Sequence, residues 1–333
     1  MTRSAPGGVE TTNPFVGSAT TRRMSDRTPA GTGWFAGLER GDLDGARNAI
    51  ETGSADSPAD WPARAVETGF ADTDEEYYAA LREAAIAAAG EAAAERERAD
   101  DRQAIHAVRA MDDADRVANE LAERVAEWAA SREAEAGTGI EHCRELVERA
   151  QKNAEPAGGH GPADDRVAAL AERVVDLDRE ARELETSVER TVRSVAPNLA
   201  ALAGPTLAAR LLALAGGLES LARTSSSTVQ VLGAEDALFA HLRGSAPSPK
   251  HGVIYTHEYV RGTHPDDRGS AARALAGKLT IAARIDHYAG DRRPDLAREL
   301  DERIARIRAQ RDDADGDHDT DSTADERGDD DAA

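Results

Sequence analysis

The 333-residue chain carries 41 Lys and Arg against 63 Asp and Glu, a formal net charge of -22, with 40% apolar and 4% aromatic residues. That apolar share suffices for a packed core, the single cysteine, Cys143, excludes an internal disulfide framework, and there is no uncharged apolar run of about 18 residues to cross a membrane. The opening Met1-Thr2-Arg3-Ser4 lacks the apolar run of a secretory leader, so the chain is expected in the cytoplasm, with no membrane partner. Lys152, Lys250 and Lys278 are the only lysines, the rest of the basic residues being arginine, and with the acidic excess this points to a salt-rich cytoplasm in which carboxylates keep the surface hydrated. The charge is uneven: residues 1–193 carry -16, residues 194–310 carry +3 and residues 311–333 carry -9. A net positive block on so acidic a background is either a phosphate-facing surface or simply a less solvated domain.

In chain order, residues 1–30 are rich in Gly, Ser, Thr and Pro without periodicity and are expected to be disordered. Residues 31–98 begin with sparse apolar anchors (Trp34, Phe35, Trp61, Phe70, Tyr77, Tyr78) between Gly, Asp and Pro signals, which predicts a small, loop-rich α/β domain. Residues 99–193 are the arm. Ile105, Val108, Met111, Ala114, Ala118, Leu121, Val125 and Trp128 recur three or four apart, and Val167, Leu170, Val174, Leu177, Ala181, Leu184 and Val188 alternate strictly, as in a coiled-coil seam. The Gly- and Pro-rich stretch from Gly137 to Ala163 predicts a reversal that pairs the two helices antiparallel. Residues 194–311 read as a compact all-helical domain of short Ala- and Leu-rich pieces punctuated by Pro197, Gly204, Pro205, Gly216, Gly217, Gly233, Pro247 and Pro249, and residues 312–333 as a disordered acidic tail. The fold class expected is therefore mainly α.

An enzyme signature is missing from the sequence. Ala276-Gly277-Lys278-Leu279-Thr280 has Ala272 where a phosphate loop needs its first glycine and Leu279 where it needs Ser or Thr. No G-x-S-x-G, H-E-x-x-H, C-x-x-C or G-x-G-x-x-G segment occurs. His251, His257 and His264 lack the cysteines or carboxylates that would complete a metal site at a usual spacing, so no metal is expected.

Four segments of the basic block do form a recognisable set: Ser194-Val-Ala-Pro-Asn-Leu-Ala-Ala-Leu-Ala-Gly-Pro205, Thr228-Val-Gln-Val-Leu-Gly-Ala-Glu235, Pro249-Lys-His-Gly-Val-Ile-Tyr255 and Ala274-Leu-Ala-Gly-Lys-Leu-Thr-Ile-Ala-Ala-Arg-Ile-Asp286. They closely resemble the Nop domain, the signature module of the archaeal Nop proteins of box C/D guide ribonucleoproteins and of their nucleolar relatives. Gln103-Ala-Ile-His-Ala-Val-Arg-Ala-Met-Asp-Asp113, Asn119 to Arg124 and Glu127-Trp128 look like the first coiled-coil helix of that family. Asp236 stands where the family commonly has lysine, Ser131 to Thr138 replace an aromatic-Pro-Glu segment, and the usual basic tail is acidic here.

The resemblance implies a noncatalytic scaffold. Residues 31–98 would hold fibrillarin, the subunit expected to carry S-adenosylmethionine, so this chain itself is expected to need no cofactor. The coiled coil would form a homodimer through Leu121, Val125, Trp128, Leu170, Val174, Leu177 and Leu184, and the Nop domain would grip box C/D guide RNA together with a kink-turn-binding, ribosomal-protein-like subunit. The matched residues suit that task. Thr228, Gln230, Gly233, Ala234 and Glu235 would open a helix whose N–H groups can face phosphate. Lys250 and His251, in a proline-stiffened loop, supply a cation and a stacking ring, and Arg273, Lys278 and Arg284 recur at helical spacing. Blander roles compete: Gly233 and Ala234 in helix packing, Glu235 as a cap, Arg284 and Asp286 as a local charge pair, Tyr255 and His257 as half-core residues, His241 and His287 as ordinary surface or core residues. Given the short amino-terminal domain, the second expectation is a Nop-type assembly factor that binds protein-decorated RNA without recruiting a methyltransferase.

Overall fold

The structure, a computed structural model, describes residues 33–53, 58–132, 137–152 and 162–321, with side chains in the last segment described for 164–310. The expected disorder of residues 1–30 lies outside the described residues. Two compact units divide the chain, one ending at Arg96 and the other beginning at Glu97.

The first unit contains α1 (Leu43–Thr52), α2 (Trp61–Glu67) and α3 (Asp74–Arg98). Among its described residues there is no strand, which corrects the α/β expectation. The Asp and Pro signals that suggested turns between strands are helix starts instead: the Asp42 carboxylate accepts from the Gly45 N–H at 3.0 Å, Asp60 accepts from the Ala63 N–H at 3.3 Å, and Pro62 lies in the first turn of α2. The aromatic anchors meet in one small core, where Phe35 stacks on Phe70 at 5.2 Å between centroids and Trp34 Nε1 donates to the Tyr77 hydroxyl. Arg40 closes it, donating to the Phe70 carbonyl and pairing with Asp72 and Glu76.

The second unit starts with α4 (Asp100–Ala130), α5 (Gly139–Lys152) and α6 (Pro162–Val195). Ile105, Val108 and Met111 share a core with Val188 and Val192, while Ala118, Ala122, Val125 and Ala129 share another with Val167, Ala171 and Val174, so α4 and α6 run antiparallel. The reversal between them is not a bare connection. Ile140, Cys143, Leu146 and Val147 give α5 an apolar stripe that packs on both long helices, and Arg144 joins it to Asp178 of α6, which Arg182 also holds. Because α4 serves two neighbours, its buried stripe is wider than a two-helix seam and shifted by one residue, through Ala122 and Ala129 rather than Leu121 and Trp128. Trp128 is 41% exposed, and Leu121, Leu170, Leu177 and Leu184 are half-buried. Val125 and Val174, both 0% exposed, are spent on packing within the chain and are withdrawn from any face offered to a second copy.

Beyond the arm, short helices follow their proline and glycine starts: α7 (Pro197–Ala203), α8 (Pro205–Ala215), α9 (Leu218–Arg223), α10 (Ser226–Val231) and α11 (Glu235–Leu242), then a single 3-10 turn at Val253–Thr256, α12 (Glu258–Arg261), α13 (Arg268–Tyr288) and α14 (Asp295–Asp321). Ala271, Ala272, Leu275, Ala276, Leu279, Ala282 and Ala283 of α13 are buried at the centre, and the alanines let α7, α9 and α10 approach closely. The base of α4 is part of the same core and is tied to it by charge. Arg210 makes a fork to Asp112, its Nη2 to Oδ1 bond being 2.6 Å, the Asp101 carboxylate accepts the Leu218 N–H at 2.9 Å, and Arg102 and Arg109 donate to the carbonyls of Gly216 and Ala213 at the end of α8. The helix α14, whose Leu296, Leu300, Ile304 and Ile307 pack in the core, continues to Asp321, ten residues into the stretch expected to be disordered from Asp312; residues 322–333 lie outside the described residues. Among the described residues no single helix is long and apolar enough to cross a membrane. The bent apolar pair α7 and α8 spends Leu199, Leu202, Leu207, Leu211 and Leu212 in the core.

Candidate nucleic-acid interface

Two segments twenty residues apart form one surface. The turn after α10 needs Gly233, whose φ of 81° is in the left-handed region that a side chain resists. The loop before the 3-10 turn is clamped onto it. The Gly252 N–H donates to the Gln230 carbonyl at 2.8 Å, the Val253 N–H to the Leu232 carbonyl at 2.7 Å, and the Gln230 side-chain amide donates to the Lys250 carbonyl at 2.7 Å. A Cβ on Gly252 would stand 1.9 Å from the Leu232 carbonyl oxygen, so that position accepts glycine alone.

The exposed Glu235, first residue of α11, folds its carboxylate back to the Gly233 N–H at 2.8 Å. That hydrogen bond occupies the amide that the sequence offered to a phosphate, while Ala234 stands at the cap position of α11. Thr228 is exposed on α10, whose Ser225 cap receives the Thr228 N–H. Lys250 is exposed in the clamped loop, its ammonium 3.5 Å from the Pro265 carbonyl oxygen. The His251 ring stacks on Tyr255 at 4.6 Å and 21° between planes, and burial first, then the neighbouring Arg268 guanidinium, holds its pKa below the ordinary histidine value.

The three α13 cations separate. Arg273 and Arg284 lie on one exposed face of that helix, but Arg284 Nε donates to the Ala222 carbonyl at the end of α9, 3.0 Å away. Lys278, with 22% of its side chain exposed, is engaged by Glu299 of α14. Arg284 and Asp286 are not a pair: the Asp286 carboxylate receives the backbone N–H groups of Asn198 and Leu199 at 3.0 and 2.8 Å and the Asn198 side chain at 2.7 Å. His257 bonds on both nitrogens, accepting the Tyr259 N–H and reaching the Leu202 carbonyl at 3.0 Å, with burial lowering its pKa. Among the described residues no group of three or more His, Cys, Asp or Glu could hold a metal ion.

Sequence reasoning missed Arg268. Its signal was present, since an arginine in the first turn of a helix meets an unfavourable dipole and needs some other partner. Here its guanidinium lies 5.4 Å over the Tyr255 ring.

Residues 160–308 match the family model described as "Nop: snoRNA binding domain, fibrillarin". An uncharacterized NOP5 family protein of Methanocaldococcus jannaschii is 49% identical over 145 residues, 43% of this chain and 35% of that protein. Nucleolar protein 58 of Debaryomyces hansenii is 40% identical over 128 residues, 38% of this chain and 25% of that one. The chain thus spans about a third or less of the length of these curated relatives. A solved structure titled "Crystal structure of fibrillarin/Nop5p complex" covers 79% of this chain with 24% identity and a TM-score of 0.44, a likeness too distant to carry function. All four quoted segments lie within residues 160–308, so this is a Nop-domain protein. Residues 160–308 are thus similar to the snoRNA-binding domain of the Nop family.

Proposed function

We propose that the chain is a noncatalytic scaffold of a box C/D guide ribonucleoprotein that directs 2′-O-methylation of ribosomal or transfer RNA. The observation that carries this reading is the clamped pair of segments 228–235 and 249–255, which ties Gln230 and Leu232 to the loop that carries Lys250 and the His251 ring, inside the part of the chain that matches a snoRNA-binding domain. Its ring and short backbone turns suit an unpaired base and a phosphate already ordered by a kink-turn-binding subunit. Because Glu235 fills the Gly233 amide, recognition rests more on stacking and shape than on free N–H groups, which also suits an acidic chain in high salt.

The unit ending at Arg96 would engage fibrillarin, which would supply S-adenosylmethionine, and the arm would bring two copies together with Trp128 in the contact. Holding the methyltransferase and the guide duplex in one geometry converts an encounter into a near-unimolecular step, a gain that reaches about 7 to 11 kcal/mol in favourable systems. Reconstitution tests it. Chain, fibrillarin, kink-turn protein and guide RNA should methylate the guided nucleotide, and undiminished methylation without the chain overturns the reading.

The three-helix character of residues 33–98 favours one alternative, a Nop-type assembly factor that binds protein-coated RNA and recruits no methyltransferase. Under it, the intact chain captures the coated RNA while fibrillarin stays behind.

A further inference from the structure

The His251 ring would be a poor recognition element if it were free to turn, because ordering a loose side chain on binding consumes the affinity it provides. In the structure it is not free. It stacks on Tyr255, and Tyr255 is covered in turn by Arg268, which the sequence places 17 residues after His251 and the fold places at the first turn of α13. Arg268 is itself anchored. Its Nε donates to the Thr263 carbonyl at 3.2 Å, and an Nη lies 3.5 Å from the Arg261 carbonyl. Thr263, 4% exposed, is fixed by its hydroxyl to the Tyr259 carbonyl at 2.7 Å and by Arg308 Nε at 3.1 Å. On the other side of the loop, the Lys250 side chain lies against the same helix start, 3.9 Å from where a Gly269 Cβ would be.

We propose that Arg268 is a positioning residue of the RNA-facing loop: anchored to the Thr263 carbonyl, it fixes the Tyr255 ring and through it the His251 ring, so that an unpaired nucleobase meets a stack already assembled. This rests on the reading of the surface given above. A planar guanidinium suits the task in a way an ammonium does not, because it holds its charge over the phenol ring while its edge donates to backbone carbonyls. The charged groups facing His251 are Arg268 and Lys250, both cations that disfavour a second positive charge on the ring, and burial acts in the same direction.

The test uses the full chain. With Arg268→Ala, the His251 Cε1–H resonance should move and its titration should shift to higher pH, as a cation is lost and the ring loosens. Affinity for a kink-turn RNA carrying its protein should fall about two- to fivefold, the size of one cation–π contact. An unchanged His251 resonance and titration overturns the proposal, and so does lower affinity with an unmoved resonance, which would make Arg268 a direct RNA contact. Should the alanine variant unfold, Arg268→Lys keeps the charge; it should still move the His251 resonance while the titration stays low, and an unmoved resonance overturns the idea equally. His251→Ala binding the coated RNA as tightly as the wild type would sink the functional reading of the surface, a result separate from what the free-protein resonance reports.

Discussion

Gln230 and Lys250 are joined across twenty residues by one hydrogen bond, the side-chain amide of the first donating at 2.7 Å to the backbone carbonyl of the second. The bond closes a three-bond clamp with the Gly252 and Val253 amides, and only the side-chain member can be removed by substitution without altering the backbone. Gln230→Ala should cost about 1 kcal/mol, the net worth of one such bond, by urea denaturation. It should also weaken binding of protein-coated RNA, since the loop keeps its residues and loses their placement. Wild-type affinity with wild-type stability would show that the two backbone bonds set the loop alone.

Gly252 should be far less forgiving. Its missing Cβ leaves room for the Leu232 carbonyl at a distance no side chain tolerates, and the obstructing atom is backbone that the clamp holds in place. Gly252→Ala should therefore cost more than about 3 kcal/mol, in the tail of large effects reserved for severe local clashes. A melting midpoint close to wild type would mean that the loop can lift away from Leu232 at little expense.

Much of this architecture was legible beforehand, and what was not has identifiable causes. The two long helices announce themselves by sustained apolar spacing, and Pro197 and Pro205 mark the starts of α7 and α8. The third arm helix was hidden because Ile140, Cys143, Leu146 and Val147 make a short stripe between glycine-rich flanks, which looks like a connection. In the first unit the aromatic residues were recognised as core but assigned the wrong element type, since an Asp that caps a helix and an Asp in a β-turn look alike in a sequence. At the proposed RNA-facing surface, the resemblance to the Nop domain gathered Gln230, Gly233, Lys250 and His251. It could not show that Glu235 fills the Gly233 amide or that Lys278 faces Glu299, because pairing is decided by helix packing and not by position in a motif.

Asp286 should prove structural. It caps α7 through the amides of Asn198 and Leu199, and Asn198 passes the constraint on, its amide donating to the Asp291 carbonyl and its oxygen accepting from the Arg293 N–H. Asp286→Ala removes a charged helix cap and strands a buried asparagine, so a loss of about 2 to 3 kcal/mol is expected by denaturation. Arg284→Ala, two residues away, should lose far less, because it gives up a single bond to the Ala222 carbonyl at the surface.

Stability should fall at both ends of the pH scale for identifiable reasons. The Asp301 carboxylate accepts the Tyr259 hydroxyl and pushes its pKa up to about 12, above the ordinary value near 10. The folded state therefore favours the protonated phenol. That contribution is complete below pH ~10 and is lost as pH rises from there toward 12. His257 works at the other end. Its pKa is lowered in the fold, so the unfolded chain binds the proton more readily and stability declines as pH falls below about 6.5. Tyr259→Phe should flatten the alkaline limb of a melting-temperature profile and leave the acid limb in place. An unchanged alkaline limb would show that the Asp301 bond does not form in solution.

Lys278 is where a structural role and an RNA-binding role make opposite predictions. It was selected as one of two lysines in a positive block, yet its ammonium is engaged by Glu299 and holds that carboxylate below the usual range. As a tie between α13 and α14, it should depend only on having a partner of opposite sign. Lys278→Glu should lower the melting temperature slightly, and adding Glu299→Lys should restore most of the loss, the pair being simply reversed. Binding of protein-coated RNA should be unchanged in the double variant. If Lys278 instead reaches phosphate, the reversal leaves a carboxylate at that point, affinity falls by roughly tenfold or more from lost attraction and added repulsion, and restoring the helix tie does nothing to recover it. Measuring affinity across a salt series separates the two, since only a true phosphate contact lowers the slope of log affinity against log salt by about one when removed.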